Sequence, residues 1–511
     1  MEGDRNPGMS FRKLVAFGLY IAPFLCFAML LLLAFFTYPA AEDLAIHYYD
    51  GLLGVGKNIR TFYQESSRYF SYPLLFVLLR GRFFMDHYFL TAVALLTGWW
   101  AILYWLLQTV TGIMLSGTIP PRRLLWLATT VLVSMVSVLF QPASVIYWVS
   151  GSLIYLLPFL LFLALLALLF RIIAKGRANG WELAGGLGLT VALAGGNEIV
   201  VFFLLITLGW IVLIYHETAG RWLWFANGCL VALALCIGWV VLPGGATSRA
   251  GHFQFRYSFA EGLWVAILYT GRLFFRMGSS SLIWLCLILA ATAGVVTRPE
   301  LRARLAGSRW LHPLVCLGLA LAGTGCFFFL IYTFSGERLP PRANGMIELI
   351  VFLFLLAACY SWGTRLERTV ALKLIVQGDP MILLFGLLLF IGSQLPRQAA
   401  GDLFVAVIYR RIAEQRTERI EGAKVAGARS VVLNSYSKDF QLTADRVIPV
   451  FARGSLAREG AMYPGLIFYQ DPLADTGLYI HYFAEYKGID TIWYEGRAYE
   501  RIGLTPNKGL K

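Results

Sequence analysis

Charge is what this sequence has least of. Lys, Arg, Asp and Glu make up 14% of its 511 residues, where a soluble globular chain carries roughly 25%. That shortage excludes the three or four soluble domains that length alone would suggest. Paired cysteine is missing as well. The seven cysteines, Cys26, Cys229, Cys236, Cys286, Cys316, Cys326 and Cys359, all fall inside apolar segments. They form neither a CxxC metal site nor a loop framework, so a disulfide scaffold is excluded and they read as small hydrophobes. The chain also lacks an internal repeat of a transporter kind and a low-complexity linker.

What remains is apolar. Hydrophobic residues reach 58% and the mean hydropathy is +0.67. Runs such as Leu14 to Phe36, Leu153 to Phe170 and Met381 to Ile391 carry few or no charges, as bilayer-spanning helices of about 20 residues do. The first run follows Arg12 and Lys13 as a signal peptide would, but it is longer than a signal core, so it reads as a retained first helix. Lys and Arg outnumber Asp and Glu by 43 to 29, a net +14. In a polytopic membrane protein that excess belongs to cytoplasmic loops rather than to a nucleic-acid surface.

Hydropathy places helices near 14–37, 86–108, 123–140, 153–171, 181–195, 198–215, 222–242, 281–297, 311–334, 346–361 and 378–395. With the N-terminus in the cytoplasm, the basic loops around Arg122 and Arg123, Arg171 to Arg177, His216 to Arg221, Arg298 to Arg309 and Arg365 to Lys373 all fall inside. The segment 259–277, with Arg272 and Arg276, reads as a helix lying at the interface, its two arginines reaching headgroups. An odd count of about eleven spans puts the C-terminus outside. From residue 396 the hydropathy drops. Asp402 to Arg419 has helical periodicity, and 430–433, 478–482 and 491–494 look like short strands. The expected fold is an α-helical polytopic membrane domain over 1–395, followed by a small outer α/β domain over 396–511.

This topology collects polar residues on the outer side. The first outer loop, about 38–85, opens with Glu42 and Asp43; in a helix over 42–50, Asp43, His47 and Asp50 share one face. Such a carboxylate serves either as a general base on a hydroxyl or as a helix cap. Arg68 lies further along the same loop. Asn197 and Glu198 interrupt apolar sequence at a helix start, and an ionisable residue there faces a cavity or pairs with an arginine. Arg249 and Arg342 follow Gly- and Pro-rich turns, and a guanidinium fork suits phosphate. Trp148 and Tyr155 offer faces for stacking on sugar, or belong to an interfacial aromatic belt.

The order of these features resembles the GT-C superfamily of multi-pass glycosyltransferases, and within it bacterial families that use polyprenyl-phosphate sugars. The resemblance rests on Glu42-Asp43-Leu44 at the start of the outer loop, on Trp148, Gly151 and Tyr155 in one stretch, and on a Pro243-Gly244 turn leading to Arg249. Glu42 and Leu44 depart from the Asp and aromatic residues of the family pattern, which leaves open which carboxylate is the base. The resemblance implies inverting transfer at the outer face of the bacterial cytoplasmic membrane, from a polyprenyl-phosphate sugar to a glycan, lipid or protein acceptor. It implies Asp43 as base with Glu42 second. Arg249, Arg342 and Arg68 would meet the donor phosphate. His47, Asp50, Trp148, Tyr155, Asn197, Glu198 and His252 would line the substrate. No cofactor is required by the residues; His47, Asp43 and Asp50 would suit a divalent cation such as Mg or Mn, without the spacing of a dedicated metal site. Two other readings remain. His252 between Arg249 and Arg256 would suit a ligase or polymerase that uses a lipid-diphosphate glycan, and the break at 195–198 would suit a transporter.

Overall fold

The computed structural model describes residues 11–39, 43–44, 46–47, 54, 56–57, 59–60, 68–115, 119–139, 141–215, 226–234, 257–335, 339–366, 380–433, 491–494 and 497–500. These form a helical bundle with one small sheet. Before the centre of the chain come α1 (Phe11–Ala34), α2 (Ser71–Arg80), α3 (Arg82–Asp86), α4 (Phe89–Met114) and α5 (Pro121–Val138). A broken stretch over 143–156 leads into α6 (Leu157–Lys175), then α7 (Gly180–Ala194) and α8 (Glu198–Tyr215). A helical stretch also covers 226–234. Beyond it are α9 (Phe259–Ser279), α10 (Ser281–Val295), α11 (Pro299–Gly307), α12 (Pro313–Ser335), α13 (Pro341–Arg365), α14 (Pro380–Ile391) and α15 (Gln394–Val425).

Every apolar run marked in the sequence overlaps a helix, but fewer qualify as crossings. Among the described residues, five helices are long and apolar enough to cross a membrane: Lys13–Ala34, Phe89–Met114, Val149–Lys175, Pro313–Thr333 and Arg342–Arg365. Counting α9 and α10 as one broken span makes six. The expected count of about eleven is not reached among the described residues. Length is part of the reason: α7 has 15 residues and α14 has 12, short of the roughly 20 that a bilayer core requires.

Local sequence explains where the helices start and stop. Pro121 and Pro341 begin α5 and α13, where a missing N–H costs nothing. Asn179 and Glu182 form a reciprocal capping box on α7, and Ser258 and Glu261 do so on α9. Gly176 ends α6 with φ 67°, in the left-handed region that favours glycine. The core lies around α6. Its span is 83% buried within the protein, against 22% for α1, so α6 is central and α1 peripheral. Two glycines let α10 and α13 touch backbone to backbone. A Cβ on Gly363 would stand 1.9 Å from the Ala291 carbonyl oxygen, and one on Gly294 would stand 2.2 Å from that of Tyr360.

One end of the bundle is bound together by basic side chains on helix C-terminal carbonyls, where cations are favoured. Arg298 donates from its backbone N–H to Met114 O (2.9 Å) and from its side chain to Leu115 O and Gly112 O. Arg302 donates to Thr364 O (2.9 Å), and Arg365 donates to Ser308 O (3.2 Å). The N-terminal ends of α4, α6, α8 and α13 lie at the other end, as the contacts described below show.

Helix α9 meets α10 at 82°. Its Arg276 was expected to reach headgroups; it instead forms an ion pair with Glu348 of α13, whose side chain is fully buried. Glu348 is the third residue of the expected apolar run 346–361 and was not singled out in the sequence.

Past α14, α15 extends over the expected helical segment and packs on α1 and on β1 (Ser430–Leu433). Strand β1 pairs in parallel with β2 (Thr491–Tyr494), Ser430 opposite Thr491, and β2 pairs antiparallel with β3 (Arg497–Glu500). Two of the three expected strands therefore form, β3 is additional, and 478–482 lies outside the described residues.

Candidate functional site

The candidate site begins with a helix that fails to run straight. Residues Ala143–Tyr147 and Ser152–Leu156 are π-turns, and Trp148 between them is extended, at φ −91° and ψ 117°. Such turns interrupt the regular ladder and are frequent at functional sites. After the extended Trp148, the N–H groups of Val149 and Ser150 have no carbonyl one turn back to pair with, as at any helix start. No side chain of the segment itself caps them.

Residues from elsewhere in the chain supply the caps. Asp43 is fully buried, and its Oδ1 accepts from the Ser150 backbone N–H at 3.0 Å and from the Ser150 hydroxyl. Its Oδ2 accepts from the Tyr88 hydroxyl, which in turn accepts from Val149 N–H at 2.8 Å. Burial, then the adjacent Asp43 charge, push the Tyr88 phenol well above its ordinary range, so it stays protonated as the donor. The opening of the first loop is thereby held to the Trp148 turn. Leu44, next in the chain after Asp43, is buried as well.

A second strap lies alongside. Phe70 N–H donates to Gly195 O at 2.9 Å and Ser71 Oγ to Gly196 O at 3.0 Å, docking the segment before α2 onto the α7–α8 break. Gly195 is required there, because a Cβ would come within 2.3 Å of the Tyr69 ring. Asn197 accepts from Ile199 N–H (2.9 Å) and donates to Ile154 O (3.2 Å), tying the start of α8 to the second π-turn.

Charged groups converge on this frame. Arg68, itself buried, donates from Nε and Nη2 to the two Glu198 oxygens at 2.9 and 2.7 Å. Burial works against the Arg68 cation, yet Glu198 and the nearby Tyr155 and Tyr72 rings raise it well above its usual value. The Glu198 side chain keeps 52% of its surface exposed, so it faces outward from a fixed anchor. The Arg342 guanidinium lies 4.6 Å from the Trp148 ring centroid and 5.9 Å from that of Tyr155. Arg68 lies 5.9 Å from the same Tyr155 ring. One tyrosine is therefore shared by two guanidinium groups at cation–π range. The Trp148 Nε1 is buried with no acceptor among the described residues.

Asp43, Arg68, Trp148, Tyr155, Asn197, Glu198 and Arg342 are thus brought to one end of the bundle. His47 is elsewhere in the loop, its Nδ1 2.7 Å from Leu79 O. Glu42, Asp50, Arg249 and His252 lie outside the described residues. Among the described residues, no three His, Cys, Asp or Glu gather as a metal site would require. Tyr88, Ser150 and Tyr72 belong to the site and were not foreseen. Ser150 stands two places after Trp148, inside the motif itself, and was the one most open to recognition. No family model, curated protein or solved structure matches the chain.

Tyr88 is the hinge of this network, since one hydroxyl both donates to Asp43 and accepts from Val149. Tyr88→Phe is expected to cost about 1–3 kcal/mol, because it removes the acceptor of the buried Val149 N–H and one donor to Asp43. A lowered thermal midpoint in detergent would register it; an unchanged midpoint would mean that the Tyr88 bonds carry no stability.

Proposed function

We propose that this chain is an inverting membrane glycosyltransferase that moves a sugar from a polyprenyl-phosphate donor to a glycan, lipid or protein acceptor. The observation that carries the reading is the grouping of Arg342, Trp148 and Tyr155 beside Arg68 and Glu198, on a turn held by Asp43. Cations fixed in advance lower the barrier where charge develops on a leaving phosphate. Aromatic faces next to them suit the apolar side of a sugar ring. The basic end of the bundle, with Arg298, Arg302 and Arg365, supports a cytoplasmic placement of that end and an outer placement of the site, in a bacterial inner membrane.

In the proposed reaction the acceptor hydroxyl oxygen attacks the anomeric carbon. The bond from that carbon to the phosphate oxygen breaks, and the polyprenyl phosphate leaves with the electron pair. The hydroxyl proton passes to a carboxylate. Arg342 meets the phosphate, with Arg68 behind Tyr155 and Arg249 as a further candidate. Asp43 is the first choice of base and Glu42 the second. Both Asp43 oxygens accept hydrogen bonds from the protein, so taking a proton requires one of those donors to let go. Glu198 also accepts from Arg68 on both oxygens, but its half-exposed side chain makes it the carboxylate that an acceptor can reach from outside.

The test follows consumption of a panel of polyprenyl-phosphate sugars by mass spectrometry, with purified protein in nanodiscs and envelope glycans as acceptors. Wild type is expected to consume one donor, and Asp43→Asn to stop turnover while still binding that donor. Full activity in Asp43→Asn with loss in Glu198→Gln would move the base to Glu198. No consumption of any donor, with acceptors present, would sink the glycosyltransferase reading. The ligase alternative rests on His252 and Arg249, which gain nothing from the described residues.

A further inference from the structure

At the basic half of the bundle, a groove of about 610 Å³ runs between α4, α6 and α7. Trp105, Leu168, Arg171, Trp181, Gly185 and Gly188 line it. Its volume is that of a small-molecule site. Its floor is bare, since a Cβ added at Gly185 or Gly188 would meet nothing within 4 Å. The rim is charged. Glu182 pairs with Lys175 at 2.6 Å and with Arg171 at 3.2 Å, so two cations face one carboxylate and a positive charge is left over. Arg171 keeps 49% of its side-chain surface and Lys175 keeps 39%. Trp181 is 89% exposed, and an exposed indole near a helix end is the residue that settles at a bilayer interface.

We propose that this groove holds an anionic lipid. Its headgroup phosphate meets Arg171 and Lys175, and one chain lies over Gly185 and Gly188 between the two indoles. The chemistry that selects it is the leftover positive charge beside an apolar trough. Basic pockets between membrane helices on the cytoplasmic side take anionic headgroups in this way. An uncharged partner would leave the excess charge unanswered, and a second copy of this chain would bring the same positive rim against itself. The proposal is independent of the chemistry at the opposite end of the bundle.

The experiment is native mass spectrometry of the full chain from detergent, with phosphatidylglycerol and phosphatidylcholine of matched chains as probes. Wild type is expected to retain phosphatidylglycerol over phosphatidylcholine by about fivefold, the worth of one interfacial cation. Arg171→Gln should remove that preference. Glu182→Gln, which keeps a capping side chain, should raise it by a similar factor. Gly188→Leu, at a position where a Cβ meets nothing within 4 Å, occupies the trough and should lower retention of both lipids. Equal retention of the two lipids by wild type would overturn the proposal, and so would a preference unchanged by Arg171→Gln. A doubled mass that disappears in Gly188→Leu would overturn it too, and would assign the groove to a second copy. If Gly188→Leu does not fold, the Arg171 and Glu182 variants, with opposite expected signs, still decide the matter.

Discussion

Gly151→Ala is expected to abolish accumulation of folded protein. The methyl group would stand 1.9 Å from the Ser144 carbonyl oxygen and 3.1 Å from its carbon. Both are backbone atoms, so no rotamer change relieves the overlap. Ser144 lies in the first π-turn and Gly151 stands just before the second. Separating them would break the bonds from Asp43 and Tyr88 to Ser150 and Val149. Losses through strain combined with a broken buried network belong to the exceptional class above about 4–5 kcal/mol. Gly98→Ala is the control: its Cβ would meet nothing within 4 Å, and alanine is favoured over glycine in a helix by about 0.8–1.0 kcal/mol. Size-exclusion profiles of the two variants from the same membranes give the comparison. A monodisperse Gly151→Ala peak at wild-type yield would mean that the turn is not held as described.

Glu348→Ala is expected to have the second-largest effect. Glu348 is fully buried on α13, and its partner Arg276 reaches it from α9 with 35% of its side chain exposed. Removing one member of a buried pair typically costs about 3–5 kcal/mol, because the remaining charge stays desolvated. The partial exposure of Arg276 puts this case at the low end. Replacing both together, as Arg276→Met with Glu348→Leu, should recover most of the loss, since apolar pairs of similar volume commonly match a buried ion pair. Thermal midpoints of Arg276→Met, Glu348→Leu and the double variant in detergent measure the coupling. A double variant as unstable as Glu348→Ala would refute a purely pairwise role and direct attention to the other polar groups of the α9–α12 contact, where Thr270 and Thr333 hydroxyls lie buried without partners among the described residues.

Hydropathy located the helices well because an apolar run needs only burial, in protein or in lipid, to become one. Fewer runs qualify as crossings among the described residues, because an apolar run of 15 residues, as in α7, scores like the middle of a longer one. The residues of the site were legible one at a time: Asp43 opens the outer loop, Trp148 stands in an aromatic stretch, Glu198 interrupts apolar sequence and Arg342 follows a Pro-rich turn. Their convergence follows from the alternation of helix direction. What the sequence did not carry was the use of each group. Asp43 offers the same letter whether its carboxylate waits for a proton or caps a turn, and only the position of Ser150 and Tyr88 separates the two. Arg276 looked like a snorkelling side chain for the same reason, since its partner lay 72 positions away, at Glu348, inside an apolar run.

The contact between Gly363 and Ala291 has a consequence for the distant end of α13. It pins the angular phase of a single unbroken helix that carries Arg342 at its first turn and Gly363 at its last. At about 1.5 Å per residue, the two are roughly 32 Å apart along that rod. Inserting one residue between them, anywhere from 350 to 360, would turn the upper segment by about 100°. Arg342 would leave the Trp148 ring and Glu348 would leave Arg276 in the same motion. The length of α13 between its glycine contact and its arginine is therefore a fixed count, and evolution can vary the identity of its lipid-facing residues far more freely than their number.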